Sequence, residues 1–269
     1  MFDLLKTDLK RVVKDKLFLI LCIVAAVFAV VNPLLYKLLF AMADMGLDLG
    51  MVIDAKTLCF ASFSPGSNLG LIMPIFAAIV LCKDFSQGTV RNKIVCGRSR
   101  TDIFLSMFLT CTVVMCAVML FHGVLTLLLS LCFFEYQASA FTWGSLGYML
   151  LSFGFEMLVY VCIAALLSLF IVWTKNAGLA VVMYVAINFL FIIVGGVVSG
   201  VLAFADPAKK VTYTLLEIVN DSNLFTSTVI GGGTSYGLLD ILCILLPTIL
   251  GTVGCVLLGI LVFKKKDVK

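Results

Sequence analysis

The sequence predicts an all-α membrane protein with six transmembrane helices, cytoplasmic N- and C-termini and an amphipathic helix at the N-terminus. The 269 residues are 62% hydrophobic and 13% charged, and the mean hydropathy is +1.19. Soluble domains are about 45–50% apolar and about 25% charged, so this composition excludes an ordinary soluble enzyme, a disordered chain and a nucleic-acid-binding module. Apolar runs such as 17–31 and 103–131 do not alternate with polar residues, which excludes a transmembrane β-barrel.

Six stretches are long enough and poor enough in charge to cross a bilayer as helices. The hydrocarbon core is about 30 Å thick and requires about 20 helical residues. The first stretch is longer than the apolar region of a signal peptide, roughly 7–15 residues, so we expect it to be retained. The predicted units are an interfacial helix over 1–16 and a six-span domain over 17–269, with spans at 17–40, 62–82, 103–131, 145–173, 177–204 and 239–263, an inner loop at 83–101 and an outer loop at 205–237.

The basic residues predict the orientation of these spans. With six spans, 15 of the 19 Lys and Arg residues fall on the side of the N-terminus. Loops rich in Lys and Arg stay in the cytoplasm, so we expect both termini there. If the weakly apolar second segment were not a span, the basic cluster Lys83–Arg100 would face outside. The charge asymmetry therefore favours six spans.

The first sixteen residues are polar, but they are patterned. Basic amphipathic helices of this kind lie in the membrane interface. We predict such a helix here because its apolar stripe continues into the first span, whereas the alternative is a solvated helix that only supplies positive charge on the inside. The apolar stripe is Phe2, Leu5, Leu9 and Val12, and another face carries Lys6, Lys10 and Lys14.

The loop between the fifth and sixth spans is the longest polar-rich stretch. Asp206 followed by Pro207 is typical of a helix start, because Asp caps free N–H groups and proline fits the first turn. Val211, Leu215 and Ile218 then recur at helical spacing. We predict a short amphipathic helix at the outer surface, lying on it or re-entering the bundle.

Residues that could perform chemistry are scarce. The sequence contains no Gly-Lys dipeptide, so a phosphate-binding loop of the P-loop type is absent. His122 is the single histidine, which argues against a zinc site and against a Ser-His-Asp triad. We expect it to be a packed polar residue bonded to a neighbouring helix. The chain is therefore predicted not to be an enzyme, with no catalytic residue, no metal site and no cofactor of its own.

Glu156 is the one acidic residue deep inside a predicted span. It follows Trp143 by 13 residues and precedes Trp173 by 17, and both tryptophans are candidate interface anchors. A charge inside the bilayer is costly, so an intramembrane acid is a functional candidate by default. The alternative is a protonated, hydrogen-bonded structural carboxyl.

The segment from Lys83 to Arg100 has the sequence KDFSQGTVRNKIVCGRSR and is too short and too polar to span. Apolar residues give this segment one apolar edge. Residues Thr89–Val95 are predicted to form one or two helical turns that end at Gly97. We interpret it as a short amphipathic helix offered to a cytoplasmic partner. The alternative is a solvated basic loop.

The order of these features resembles the permease subunits of ABC-2-type exporters, a family of bacterial transport proteins. The topological resemblance covers the whole chain, whereas the motif covers one short segment. That motif is acid–Phe–x–x–Gly–Thr, then basic residues, then Gly–x–Ser–Arg before the third span. The matching residues are Asp84, Phe85, Gly88, Thr89, Arg91, Gly97, Ser99 and Arg100.

The resemblance implies a transport assembly of several subunits in a bacterial cytoplasmic membrane. The inner segment would dock on separate ABC ATPase subunits, which would bind the ATP and Mg²⁺ that this chain does not bind. A second permease copy or a paralogue would complete the assembly, surrounded by membrane lipid and without nucleic acid. The predicted coupling residues are Asp84, Phe85, Gly88, Thr89, Arg91, Lys93, Arg98 and Arg100.

In this family the second and fifth spans tend to line the transport pathway. The corresponding residues here, with the intramembrane acid, are mostly apolar, which favours an amphipathic or hydrophobic substrate such as a peptide, drug or lipid. The predicted pathway residues are Met73, Phe76, Glu156, Met183, Asn188 and Phe189.

Other functions stay open at the level of sequence. An ion- or proton-coupled secondary transporter would rely on Glu156, although no inverted repeat supports it. A membrane immunity or sensor protein that binds without transporting has the same sequence features as an exporter. An intramembrane enzyme is the least favoured, because catalytic residues are missing.

Overall fold

The computed structural model describes residues 1–43, 62, 64–133, 143–204, 210–223 and 237–265. Within these ranges the regular elements are α-helices, which confirms the predicted fold class. The cap predicted at Asp206 and Pro207 lies outside the described residues. The nine helices of the described ranges are α1 Phe2–Lys14, α2 Lys16–Ala43, α3 Asn68–Ser86, α4 Thr89–Val95, α5 Arg100–Phe133, α6 Trp143–Thr174, α7 Ala177–Phe204, α8 Lys210–Asp221 and α9 Leu238–Lys265.

Six helices of this part of the chain are long and apolar enough to cross a membrane: α2, α3, α5, α6, α7 and α9. The chain is therefore a multi-pass membrane protein, as predicted. The clearest difference in bounds is at α3, which begins at Asn68 and not at residue 62. The Ser67 hydroxyl accepts a hydrogen bond from the Gly70 amide at 3.1 Å and caps the helix there. Gly70 also lies against the Pro65 carbonyl, where a Cβ would have no room.

Three of the six spans form the core of the bundle. In their most hydrophobic stretches, 56% of the residues of α3, 61% of α5 and 67% of α6 are buried, against 22% for α2 and 17% for α7 and α9. The outer helices display large apolar side chains such as Leu19, Phe189 and Leu250 at the surface. In a bilayer such a surface is covered by lipid or by another membrane helix.

One end of the bundle, which we call the basic end, contains α1, α4, the start of α5 and the end of α9. Arg100, the first residue of α5, donates hydrogen bonds to the carbonyl oxygens of Phe263 at 3.2 Å and Lys264 at 2.9 Å. These carbonyls belong to the last turn of α9, where they lack helical partners. Because the spans alternate in direction, the end that holds α8 is the opposite one.

Helix α8 folds back along α7. The Ser199 hydroxyl donates to Asn220 Oδ1 at 2.8 Å, and Asn223 Nδ2 donates to the Phe191 carbonyl at 2.7 Å. At 1.5 Å per residue, Phe191 lies about 20 Å from the end of α7 at Phe204. The short helix is confirmed, and it re-enters the bundle.

Candidate functional site

Helix α4 is a separate short element between α3 and α5, with the bounds that its sequence predicts. Gly88 precedes it with φ +68°, and Gly97 follows it with φ +79°. Side chains other than glycine rarely adopt this left-handed conformation, so the two glycines make the bends that turn the chain into and out of α4. The element is therefore a defined helical step at the basic end.

A buried ion cluster attaches α4 to three other helices. Lys93 Nζ donates to Asp8 Oδ1 at 2.8 Å and to Asp84 Oδ2 at 3.2 Å, and Arg11 pairs with the other oxygen of Asp84. The Ser106 hydroxyl donates to Asp8 Oδ2 at 2.7 Å. Both carboxylates are 3% exposed, and two cations balance them. Removing one partner would leave an uncompensated buried charge, so the cluster fixes α1, α3, α4 and α5 relative to one another.

A second ion pair lies beside the cluster, at the junction of α1 and α2. Lys83 Nζ donates to Asp15 Oδ2 at 2.6 Å, and the Leu17 amide donates to Asp15 Oδ1 at 3.0 Å. The hydrogen bond from Lys83 lowers the pKa of Asp15 below its ordinary value. Within the cluster, burial lowers the pKa of Lys93 while its hydrogen bond to Asp8 acts in the opposite direction. The junction is thus tied to the end of α3.

The outer side of α4 faces solvent. Arg91 and Arg98 are exposed, and the apolar side chain of Val95 is 79% exposed. A single exposed valine is ordinary on a protein surface. Here it lies at the end of a helix that the buried cluster holds in place, with a guanidinium before it and another after it in the chain. This face is the part of the site that another protein can reach.

The predicted coupling residues divide into an exposed pair and a held set. Arg100 binds the end of α9, and the Phe85 ring packs edge-on against Phe263 with 6.3 Å between ring centres. The held residues position α4, and the exposed ones are available for contact. The exposed pair is Arg91 and Arg98, the held residues are Asp84, Phe85, Lys93 and Arg100, and Gly88 and Thr89 form the start of α4.

The sequence interpretation of α1 missed the residue that joins it to the bundle. The helix is confirmed, but its buried row is Leu4, Asp8 and Val12. Of the predicted apolar stripe Val12 is buried, whereas Phe2 is 82% exposed. The spacing i, i+4, i+8 could have revealed this row, had an acid been allowed inside it. The sequence pattern alone does not indicate that Asp8 is buried, because its partner, Lys93, is far away along the chain.

The predicted pathway residues occupy different environments. Met73 and Asn188 are buried, Phe76 and Met183 are partly buried against the same core, and Phe189 is 53% exposed. Asn188 also belongs to a polar link between spans. Its amide donates to the Tyr184 hydroxyl at 3.4 Å, and that hydroxyl donates to the Gly70 carbonyl at 3.3 Å. The two spans that the resemblance assigns to a pathway are thus joined by a hydrogen bond.

Glu156 lies inside the bundle on α6. Its side chain is 1% exposed, and its Oε2 atom has no hydrogen-bond partner among the described residues. Tyr160, one turn later on α6, lies close enough to the Glu156 carboxyl and to Tyr184 to interact with both electrostatically. His122 contacts Thr126 on its own helix at 3.4 Å. Among the described residues this contact is within α5, so the expected bond from His122 to a neighbouring helix stays a prediction.

Comparisons with known proteins give the chain a family and leave its activity open. No curated protein matches the sequence. A family model described as a protein of unknown function, DUF2705, matches residues 57–269. The match covers α3 to α9, and with them α4 and five of the six candidate spans. The chain therefore belongs to the DUF2705 family of membrane proteins of unknown function.

Proposed function

We propose that this chain is the permease subunit of an ATP-driven exporter of the ABC-2 type. The observation that carries the proposal is α4, a short helix that a buried ion cluster holds at the basic end while its outer face stays open. A separate ATPase would bind there and supply ATP and Mg²⁺. This chain would contribute the spans through which the substrate moves.

The ion cluster makes the attachment of α4 to the bundle rigid, which a permease subunit needs in order to transmit the movement of an ATPase. A push on a flexible loop would be absorbed by bending the loop. A push on α4 is passed through Lys93 to Asp8 on α1 and Asp84 on α3, since both aspartates are buried. Ser106 carries the same connection to α5. Movement of an attached ATPase would therefore reach several membrane helices at once.

The fold supports the proposal at the opposite end as well. The resemblance expects a helical segment between the fifth and sixth spans, and α8 is a re-entrant helix at that place. The outer helices α2, α7 and α9 have wide apolar surfaces that a second permease copy or a paralogue could cover. Few charges lie in the spans, which favours an amphipathic or hydrophobic substrate such as a peptide, drug or lipid.

Co-purification with an ABC ATPase from the same genome tests the proposal. We expect the two proteins to copurify, and we expect R91E or R98E to weaken the complex or to uncouple ATP hydrolysis. The matched control is K265E, which reverses an exposed charge at the basic end but away from α4. If the Arg91 and Arg98 variants bind and couple like the control, α4 is not the docking element and the proposal fails. A complex that hydrolyses ATP without moving substrate would favour the immunity or sensor alternative.

The second candidate is a secondary transporter that uses Glu156, and the buried, incompletely bonded carboxyl favours it. In vesicles that contain this chain alone, it predicts flux driven by an ion or proton gradient without ATP. E156Q should abolish that flux, whereas E217Q, which changes an exposed acid on α8, should not. Gradient-driven flux that survives E156Q would eliminate this candidate.

A further inference from the structure

Helix α1 divides into three sectors around its axis. At 100° per residue, one sector faces the bundle, the next is apolar and the third is basic. The bundle sector contains the ion-paired Asp8. The bundle sector is Leu4, Asp8 and Val12, the apolar sector is Phe2, Leu5, Leu9 and Val13, and the basic sector is Lys6, Lys10 and Lys14 with Asp3 among them.

The basic sector is not used by the fold. Lys6, Lys10 and Lys14 are exposed, and none has an ion-pair partner within the described ranges. Arg11 on α1 and Lys93 on α4 behave differently, since each is bound to a buried aspartate. The three lysines, each one turn from the next, therefore form a stripe along one side of α1, and this stripe has a net positive charge.

The apolar sector lies directly beside this stripe and continues into a membrane span. Phe2 is 82% exposed and Val13 is 59% exposed. One extended residue, Asp15, joins α1 to α2, whose own exposed apolar side chains begin with Leu19 at 60% and Ile20 at 43%. A surface that binds a cytoplasmic protein would be expected to have polar residues around its apolar centre, whereas this apolar sector runs on into a span. The continuity with a lipid-facing helix favours lipid as the occupant.

We propose that α1 binds the anionic phospholipids of the membrane leaflet at the basic end. The apolar sector would lie among the first acyl-chain atoms while Lys6, Lys10 and Lys14 meet the phosphate groups. The cluster would then hold the lipid-bound helix and α4 in one rigid unit, through Asp8 and Lys93. The proposal does not depend on ATP-driven transport.

Charge complementarity sets the size of the effect. Each basic side chain near an anionic leaflet contributes about 1 kcal/mol, which corresponds to about five-fold in lipid affinity. Helix α8 provides the internal comparison. Its exposed apolar residues Val211, Leu215 and Val219 are as open as those of α1, but its exposed side includes the acid Glu217 and lacks a lysine stripe.

A tryptophan reporter on each helix tests the proposal in the full-length protein. The background carries Trp143→Phe and Trp173→Phe, and the reporters are Phe2→Trp on α1 and Val211→Trp on α8. Vesicles of phosphatidylcholine receive increasing fractions of phosphatidylglycerol or phosphatidylcholine with brominated acyl chains, which quench nearby tryptophan. We expect phosphatidylglycerol to quench Phe2→Trp at a several-fold lower fraction than phosphatidylcholine does. Val211→Trp should show equal quenching by both lipids.

Substitution of the stripe identifies its charges as the cause. K6Q with K10Q should abolish the preference at Phe2→Trp, whereas K264Q with K265Q removes equal charge from the same end and should leave it. About 1 M salt should also remove the preference, since it shortens the screening length to about 3 Å. Equal quenching of Phe2→Trp by both lipids would overturn the proposal. So would a preference that depends on Lys264 and Lys265, or a K6Q, K10Q variant that keeps its lipid preference.

Discussion

Helices α1 and α8 are both short and amphipathic, yet they are attached to the bundle by different chemistry. Helix α1 is held by buried ionic bonds through Asp8 and Arg11. Helix α8 is held by neutral hydrogen bonds through Asn220 and through Asn223, which lies two residues after the helix. Both turn apolar residues away from the bundle and a polar group toward it. On a soluble core, an amphipathic helix turns its apolar side inward and its polar side outward. Part of the surface of α1 and part of the surface of α8 show the opposite arrangement.

The difference follows from where each helix lies. At the basic end, water and many cations are near, so a carboxylate can be buried when cations from two other segments balance it. Asn223, two residues after α8, donates a hydrogen bond to a carbonyl about 20 Å from the end of α7, where a charge would cost more and an amide suffices. The ionic attachment is therefore expected to be strong and sensitive to loss of one partner. The amide attachment is expected to be weaker and more tolerant.

The largest effect is expected from breaking the ionic attachment of α1. K93M leaves Asp8 buried without its cation, so the free energy of unfolding should fall by about 3–5 kcal/mol. Denaturant unfolding of the purified protein in detergent measures this change.

Two further variants control that experiment. R98M removes an exposed cation three residues after α4 and should change stability by no more than about 0.5 kcal/mol. Combining D8N with K93M removes both charges and should recover part of the loss. A K93M protein as stable as R98M would mean that the cluster does not anchor α1.

A smaller effect is expected at the attachment of α8. N220A removes the hydrogen bond that Ser199 donates, so the free energy of unfolding should fall by about 1–2 kcal/mol. The control E217Q alters an exposed side chain of the same helix and should be nearly neutral. The same unfolding measurement applies. A loss from N220A equal to that from K93M would erase the distinction between the two helices.

The smallest effect is expected at the partly exposed pair of Asp15 and Lys83. D15N should lower stability by about 0.2–1 kcal/mol, as is usual for pairs near the surface. The folded pKa of Asp15 is lowered from its ordinary 3.8, so the pair stabilises the protein above that pH. This contribution is lost as the pH falls from 3.8 through the lower folded pKa. Unfolding curves of wild type and D15N should therefore converge in that acid range, and a constant difference would contradict the assignment.

Much of the fold could be predicted, because each span and α4 carry their signals locally. A run of apolar residues indicates a span whatever it packs against, and Gly88 and Gly97 limit α4 from both sides. Hydropathy predicts the start of α3 six residues too early, because it does not detect the Ser67 cap. Within the site, the exposed cations Arg91 and Arg98 cannot be told from the bound cations Lys93 and Arg100 by sequence. Their separation depends on partners that are distant along the chain.

By itself, the sequence determined that this is a multi-pass all-α membrane protein with six candidate spans, since hydrophobicity and helix length are properties of contiguous residues. Only the tertiary structure decided that Asp8 turns inward, that Lys93 joins α1, α3 and α4, and that α8 runs back along α7. The physical reason is the cost of burying charge and amide groups, which only the partners that folding brings together can offset.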